Sequence, residues 1–141
     1  MKISTKGQYA LEIIVDLAMH SDEQHLESLK NIAERRKLSE KYLERIIKLL
    51  KDAKLVKSVR GAYGGYCLGK PMQEMTVLDV LIASEGAMAP VACLLDEIEC
   101  AIGKEACPTR ATWELLWKEI LYSAMQVTIA DLIEQVEDEK E

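Results

Sequence analysis

A chain of 141 residues has room for one hydrophobic core and at most an appended arm, and 49% hydrophobic residues exclude a disordered polymer. The net charge of −6 is segregated: residues 1–70 carry 14 Lys and Arg against 9 Asp and Glu, and residues 71–141 carry 4 against 15. The halves therefore balance at +5 and −11, the asymmetry expected when one part meets phosphate and the other does not. Phe is absent, so the core is expected to be aliphatic. Met1–Lys6 has no apolar run of signal-peptide type, and no segment approaches the length of a membrane span. The expectation is a soluble cytoplasmic protein with no membrane partner, whose cysteines are reduced, metal-bound or redox-active.

Gly7 to His20 reads as a helix with Tyr9, Ala10, Ile13, Ile14, Leu17 and Ala18 on its buried stripe, and it brings Lys2 and Lys6 to the basic side. His20 and His25 have no partners in sequence and read as structural or solvated. Ser28 caps a short helix through Arg36 that turns Leu29, Ile32 and Ala33 inward. The Lys37-Leu38 connection is short enough to force a helix-turn-helix crossing.

Ser39 then caps a helix running to Leu50, and Leu38 and Leu43 have the spacing of a hydrophobic staple. Leu43, Ile46, Ile47 and Leu50 form its inner face, leaving Lys41, Tyr42, Glu44, Arg45 and Lys48 outside. Cations interleaved with hydrogen-bonding groups are what a helix needs to read the major groove. Leu55–Arg60 reads as a strand, Gly61–Gly65 as a turn and Tyr66–Leu68 as the return strand. A hairpin carrying Lys57, Arg60 and Tyr63 fits a wing that follows the phosphates or dips an arginine into the minor groove. Without the hairpin, an ordinary basic helix face would explain the pattern equally well; the wing decides for DNA.

Lys70-Pro71 ends the hairpin, and Thr76-Val77-Leu78-Asp79 resembles a capping box that starts a helix stopping before Gly86. Periodicity weakens from Ala87 to Cys107. Pro108 then opens a long helix to about Gln126 with Trp113, Leu116, Trp117, Ile120, Leu121 and Ala124 on its stripe. With no later sheet to cover two Trp, the expected cover is a second copy of the chain, a two-fold dimer suited to a symmetric DNA site. Thr128-Ile129-Ala130-Asp131 caps a final short helix, and residues 137–141 form a solvated acidic end. The expected fold is mainly α with a small β-hairpin. It divides into a winged helix-turn-helix DNA-binding domain over residues 1–86, a cysteine-containing sensor loop over 87–107, and a dimerisation helix with a C-terminal helix over 108–141.

Cys93-x6-Cys100-x6-Cys107 is the constellation that carries chemistry, because thiolates ligate iron–sulfur clusters and zinc. Zinc fingers pair cysteines more closely, and the Cys-x-x-Cys of thioredoxin-type enzymes is absent. Asp96, Glu97, Glu99 and Glu105 weigh against a strongly anionic cluster. A metal cluster, oxidant-sensing free thiols and inert cysteines all remain open on thiol chemistry alone. Cys67 fits a small packing residue of the wing. An enzyme has little support, with no nucleophile paired to a base and only two His.

Met1–Gly7, Ser28-Leu29-Lys30-x-Ile32-Ala33-Glu34-Arg35, Leu38-Ser39-x-x-Tyr42-Leu43-Glu44 and Val59–Tyr66 together resemble the Rrf-two family of winged-helix regulators, which includes IscR, NsrR and CymR. Thr76-Val77-x-Asp79-Val80 and Thr128–Leu132 match as well, so the resemblance spans nearly the whole chain. It implies a homodimer held by the long C-terminal helix on a palindromic double-stranded DNA operator. Tyr42, Glu44 and Arg45 match the reading-helix positions and Arg60 the wing arginine; Glu44 suits cytosine N4. Lys6, Ser28, Lys30, Ser39, Lys41, Lys48, Lys57 and Tyr63 complete the expected DNA-binding set.

Cys93, Cys100 and Cys107 correspond to the ligands of a 2Fe–2S or 4Fe–4S cluster in the iron–sulfur members. The gaps here are six residues where those members usually have five, and Arg110 stands where IscR-type members place a histidine ligand. Other members borrow an acidic ligand from the first helix, for which the candidates here are Gln8, a poor one, and Glu12. The wing turn Arg60–Tyr66 resembles that of CymR, a regulator of cysteine metabolism without the cysteine triplet. The alternative is therefore a cluster-free regulator responding through thiol oxidation or a partner protein of sulfur metabolism.

Overall fold

A computed structural model of the chain describes residues 2–95, 103 and 105–140. Among the described residues, six α-helices and one hairpin follow in the order α1 (Thr5–His20), α2 (Leu29–Arg36), α3 (Glu40–Asp52), β1 (Val56–Val59), β2 (Gly65–Leu68), α4 (Val77–Glu85), α5 (Arg110–Met125) and α6 (Ile129–Lys140). A 3-10 turn, Ala92–Leu94, lies between α4 and α5.

Each helix of the N-terminal half starts where a hydroxyl satisfies an amide of the first turn. Ser4 accepts from Gly7, Ser28 from Asn31 and Ser39 from Tyr42. The Ser4 cap starts α1 two residues before the predicted Gly7. Thr76 and Asp79 form the predicted reciprocal box at α4, and Thr128 and Asp131 repeat it at α6. The turn between α2 and α3 spans residues 37–39 and contains one left-handed residue, Lys37, at φ 56°.

The core is aliphatic. Ala10, Ile13, Ile14 and Leu17 of α1 meet Ile32 of α2 and Leu43, Ile46, Ile47 and Leu50 of α3, none more than 2% exposed. Full burial of each large side chain is worth about 1.5–3 kcal/mol. Met75, Val80, Ile129 and Ile133 join the same core. The end of the chain thus closes the domain that its beginning founds. Ile129 donates to Met75 at 2.8 Å and Val77 to Val127 at 2.9 Å, which locks the starts of α4 and α6 together. The acidic end, predicted as a solvated tail, is mostly the exposed last turns of α6.

The hairpin is antiparallel with Val56 opposite Leu68 and Val59 opposite Gly65. Its turn depends on small residues: Gly61 sits at φ 114°, and a Cβ on Gly64 would lie 2.0 Å from the Val59 carbonyl oxygen.

α5 begins at Arg110, after Pro108 and Thr109, and runs against α4 and the 3-10 turn. Trp113, Trp117, Ile120, Leu121 and Ala124 are half-buried there, whereas Leu115, Leu116, Tyr122 and Met125 are exposed. None of its side chains is fully buried.

Candidate nucleic-acid interface and cysteine loop

The amphipathic pattern of α3 sets the site. Its four apolar residues anchor it on α1, so Lys41, Glu44, Arg45 and Lys48 face outward along its length. Tyr42 is less free than expected. Its ring is half-buried and meets Tyr9 edge-on, with centroids 5.9 Å apart and an 84° interplanar angle. Beside α3 stands the hairpin, with Lys57 and Arg60 exposed and Tyr63 at its tip 97% exposed. A phenol ring in open solvent gains nothing for the fold. Between α3 and β2 lies a cleft of about 800 Å³ lined by Lys41, Glu44, Arg45, Lys48, Lys51, Asp52 and Tyr66, among others.

Lys6 is exposed in the first turn of α1, Lys30 is exposed on α2, and Ser28 and Ser39 sit at helix N-termini with their hydroxyls occupied as caps. Lys57 is drawn toward Glu23 at 3.5 Å, a weak exposed pair.

Sequence reasoning missed what fixes the wing to the helices. Asp16, with a fully buried carboxylate, accepts from Arg35 Nη2 at 2.8 Å and from Arg36 Nε at 3.1 Å. Arg35 also reaches Glu27 at 2.8 Å, and Glu27 exchanges backbone hydrogen bonds with Tyr66 of β2 at 2.8 and 2.9 Å. Burial alone would raise the Glu27 carboxyl, but hydrogen bonds from Asn31 and Arg35 outweigh it and hold the group below its ordinary value. The hydrogen bond to Asp16 pushes the Arg35 guanidinium further up, against the effect of burial. An acid directly before the apolar Leu17-Ala18, inside the first helix, and an Arg pair on the next helix were the available signal.

Cys93 lies in the 3-10 turn and Cys107 just before α5; both are half-buried, free thiols. Cys100, with Asp96, Glu97 and Glu99, lies outside the described residues. Arg110 links the two ends of the loop: Nη1 donates to the Cys93 carbonyl at 3.3 Å, and Nε donates to Glu114 at 2.9 Å. The Thr109 hydroxyl, 3.5 Å from the Cys107 sulfur, and the adjacent backbone amides pull that thiol below its ordinary value, which favours the thiolate that metals bind. Cys67 packs in the core side of β2, where burial pushes its thiol up. Glu12 lines a groove between α1 and α6 with Leu11, Val15, Leu132 and Val136. Among the described residues, no three His, Cys, Asp or Glu side chains converge on one point.

A helix-turn-helix with a free polar face on its second helix and an exposed hairpin beside it defines a winged helix-turn-helix protein. A family model described as "Rrf2: Iron-dependent Transcriptional regulator" matches residues 3–135. CymR of Bacillus subtilis (strain 168) is 50% identical over 97 residues, covering 69% of this chain and 70% of that protein. The solved structure of CymR, the global cysteine regulator of B. subtilis, matches with a TM-score of 0.74 at 39% identity over 94% of this chain and 95% of that one. IscR of T. potens matches with a TM-score of 0.77 at 36% identity over 100% of this chain and 92% of the other. The chain belongs to the Rrf2 family and is a transcription regulator, not an enzyme. No helix among the described residues is long and apolar enough to cross a membrane.

Proposed function

We propose that the protein is a cytoplasmic homodimer that binds a palindromic operator and senses iron–sulfur or redox status through Cys93, Cys100 and Cys107. The observation that carries the DNA part is the exposed face of α3 beside a fully solvated Tyr63. In this reading Tyr42, Glu44 and Arg45 face base edges, Arg60 enters the minor groove, and Lys6, Ser28, Lys30, Ser39, Lys41, Lys48, Lys57 and Tyr63 meet phosphates. Leu115, Tyr122 and Met125 fall on one side of α5 and supply the apolar surface for the two-fold partner. Residues 1–86, 87–107 and 108–141 then act as reader, sensor and dimer arm, with α6 returning to the reader's core.

The donor set fits an iron–sulfur cluster, since Cys93 and Cys107 are free thiols held at the two ends of one loop and Cys107 favours the thiolate. A 2Fe–2S or 4Fe–4S cluster would supply a redox-sensitive centre there. Arg110 is engaged by Glu114 and Cys93 and has no basic lone pair to ligate a metal. A fourth protein ligand therefore comes from elsewhere, Glu12 of a second protomer being the candidate. The guanidinium of Arg110 ties the loop to the first turn of α5, so a change in thiol ligation reaches the dimer helix.

The second reading rests on the 50% identity to CymR. It keeps the DNA interface and replaces the cluster with thiol oxidation or a partner protein of sulfur metabolism. An absorption spectrum with iron and sulfide analysis, on protein purified without oxygen, separates the two. Visible bands lost on replacing Cys93, Cys100 or Cys107 with Ala support the cluster; a colourless, iron-free protein that still binds DNA supports the second reading.

A further inference from the structure

Four residues lining the cleft between α3 and β2 lie outside the expected contact set, Ile47, Lys51, Asp52 and Tyr66, and of these Lys51 and Tyr66 can donate to an anion. Its wall on α3 carries Lys41, Arg45, Lys48 and Lys51 against two carboxylates, Glu44 and Asp52. Helical spacing decides which cations are free. Lys48 has Glu44 four residues before it and Asp52 four after, and Lys41 has Glu44 three after. Lys51 has only Ile47, Lys48, Lys54 and Leu55 at those distances, so no carboxylate stands one turn from it; Arg45, already in the expected contact set, is alike. Among the described residues, no ion pair includes it.

Opposite Lys51, Tyr66 is the one wing residue lining the cleft, and its backbone is pinned by both hydrogen bonds to Glu27. A phenol on the strand and an ammonium that enters no ion pair among the described residues, at the far end of the reading helix, make a two-sided anion seat. Lys51 lies about two turns beyond the residues of α3 that would read bases, Tyr42, Glu44 and Arg45. We propose that this cleft seats one DNA phosphate per protomer between Lys51 and Tyr66, and that the contact fixes the angle of α3 in the groove without reading sequence. The inference rests on the DNA-binding reading above.

The test uses the full-length protein and two duplexes of equal length, one selected by the wild type from a random library and one scrambled. Binding is measured across a salt series for the wild type, Lys51→Gln, Tyr66→Phe and Lys54→Gln. Lys54 is an exposed cation just beyond α3 that does not line the cleft, so it controls for charge alone. Lys51→Gln should weaken both duplexes by a similar factor, about 3–10-fold, and reduce the slope of log affinity against log salt by about 0.9 per half-site. Tyr66→Phe should weaken both about 3-fold with the slope kept, as loss of one neutral hydrogen bond predicts. Lys54→Gln should leave the slope close to wild type.

A slope unchanged by Lys51→Gln, an equal change on Lys54→Gln, or a loss confined to the selected duplex would overturn the phosphate seat. Absence of salt-dependent binding by the wild type itself would instead sink the DNA-binding reading.

Discussion

Asp16 grips Arg35 through both carboxylate oxygens, with Nε at 3.0 Å from one and Nη2 at 2.8 Å from the other. Because Arg35 also holds Glu27, and Glu27 holds Tyr66, this pair connects α1 and α2 to the wing. Asp16→Asn keeps the shape and removes the charge that two guanidiniums face. The expected cost is about 2–3 kcal/mol, below that of a fully buried pair because the arginines stay about one-third exposed. Urea unfolding measures it, and an unchanged midpoint would show that the network is ornamental to stability.

Glu27 makes the network sensitive to acid. Its carboxyl titrates below the ordinary 4.5 in the fold, so its contribution is complete above that pH and is lost as pH falls through the lower folded value. Stability should therefore drop on acidification below about pH 4.5 more steeply in the wild type than in Glu27→Gln. Parallel pH profiles for the two proteins would refute the assignment.

The wing prediction concerns function and not folding. Arg60→Ala should reduce affinity for a selected operator by about 10- to 100-fold, the range for a groove-reading arginine, and leave the melting temperature within error. Retention of full affinity, measured by gel retardation, would count against the docking proposed. Arg45→Ala tests the reading helix in the same way.

Gly64→Ala tests the hairpin turn. The added Cβ would meet the Val59 carbonyl at 2.0 Å, a contact with backbone that cannot swing aside. The expected result is a displaced wing, with DNA affinity lowered and the helical core intact by circular dichroism.

Leu115→Glu places a charge on the exposed apolar side of α5. Analytical ultracentrifugation should show a monomer with weakened operator binding, because two half-sites are then bound independently. A persistent dimer would place the interface elsewhere.

Much of this architecture was legible in the chain because it rests on local chemistry. The Ser28 and Ser39 caps, the Thr76 and Thr128 boxes and the four apolar positions of α3 are decided by residues within one or two helical turns; the Ser4 cap, equally local, was missed. What was not legible depends on distant partners. That Tyr42 meets Tyr9 edge-on, or that the Thr128 cap delivers Ile129 to the core beside Met75, follows from packing between segments far apart in sequence. Lys51 and Tyr66 line one cleft for the same reason. The cysteine triplet was visible as a motif, and its central member, Cys100, lies outside the described residues.

The measurement that bears most directly on the account is a hydroxyl-radical footprint of the wild-type protein on a duplex it selects from a random library. Two equivalent protected half-sites, spaced by about one helical turn of DNA or a multiple of it, are expected for a two-fold pair of reading helices. A single asymmetric footprint, or selection that enriches no sequence, would contradict the dimeric operator-binding regulator.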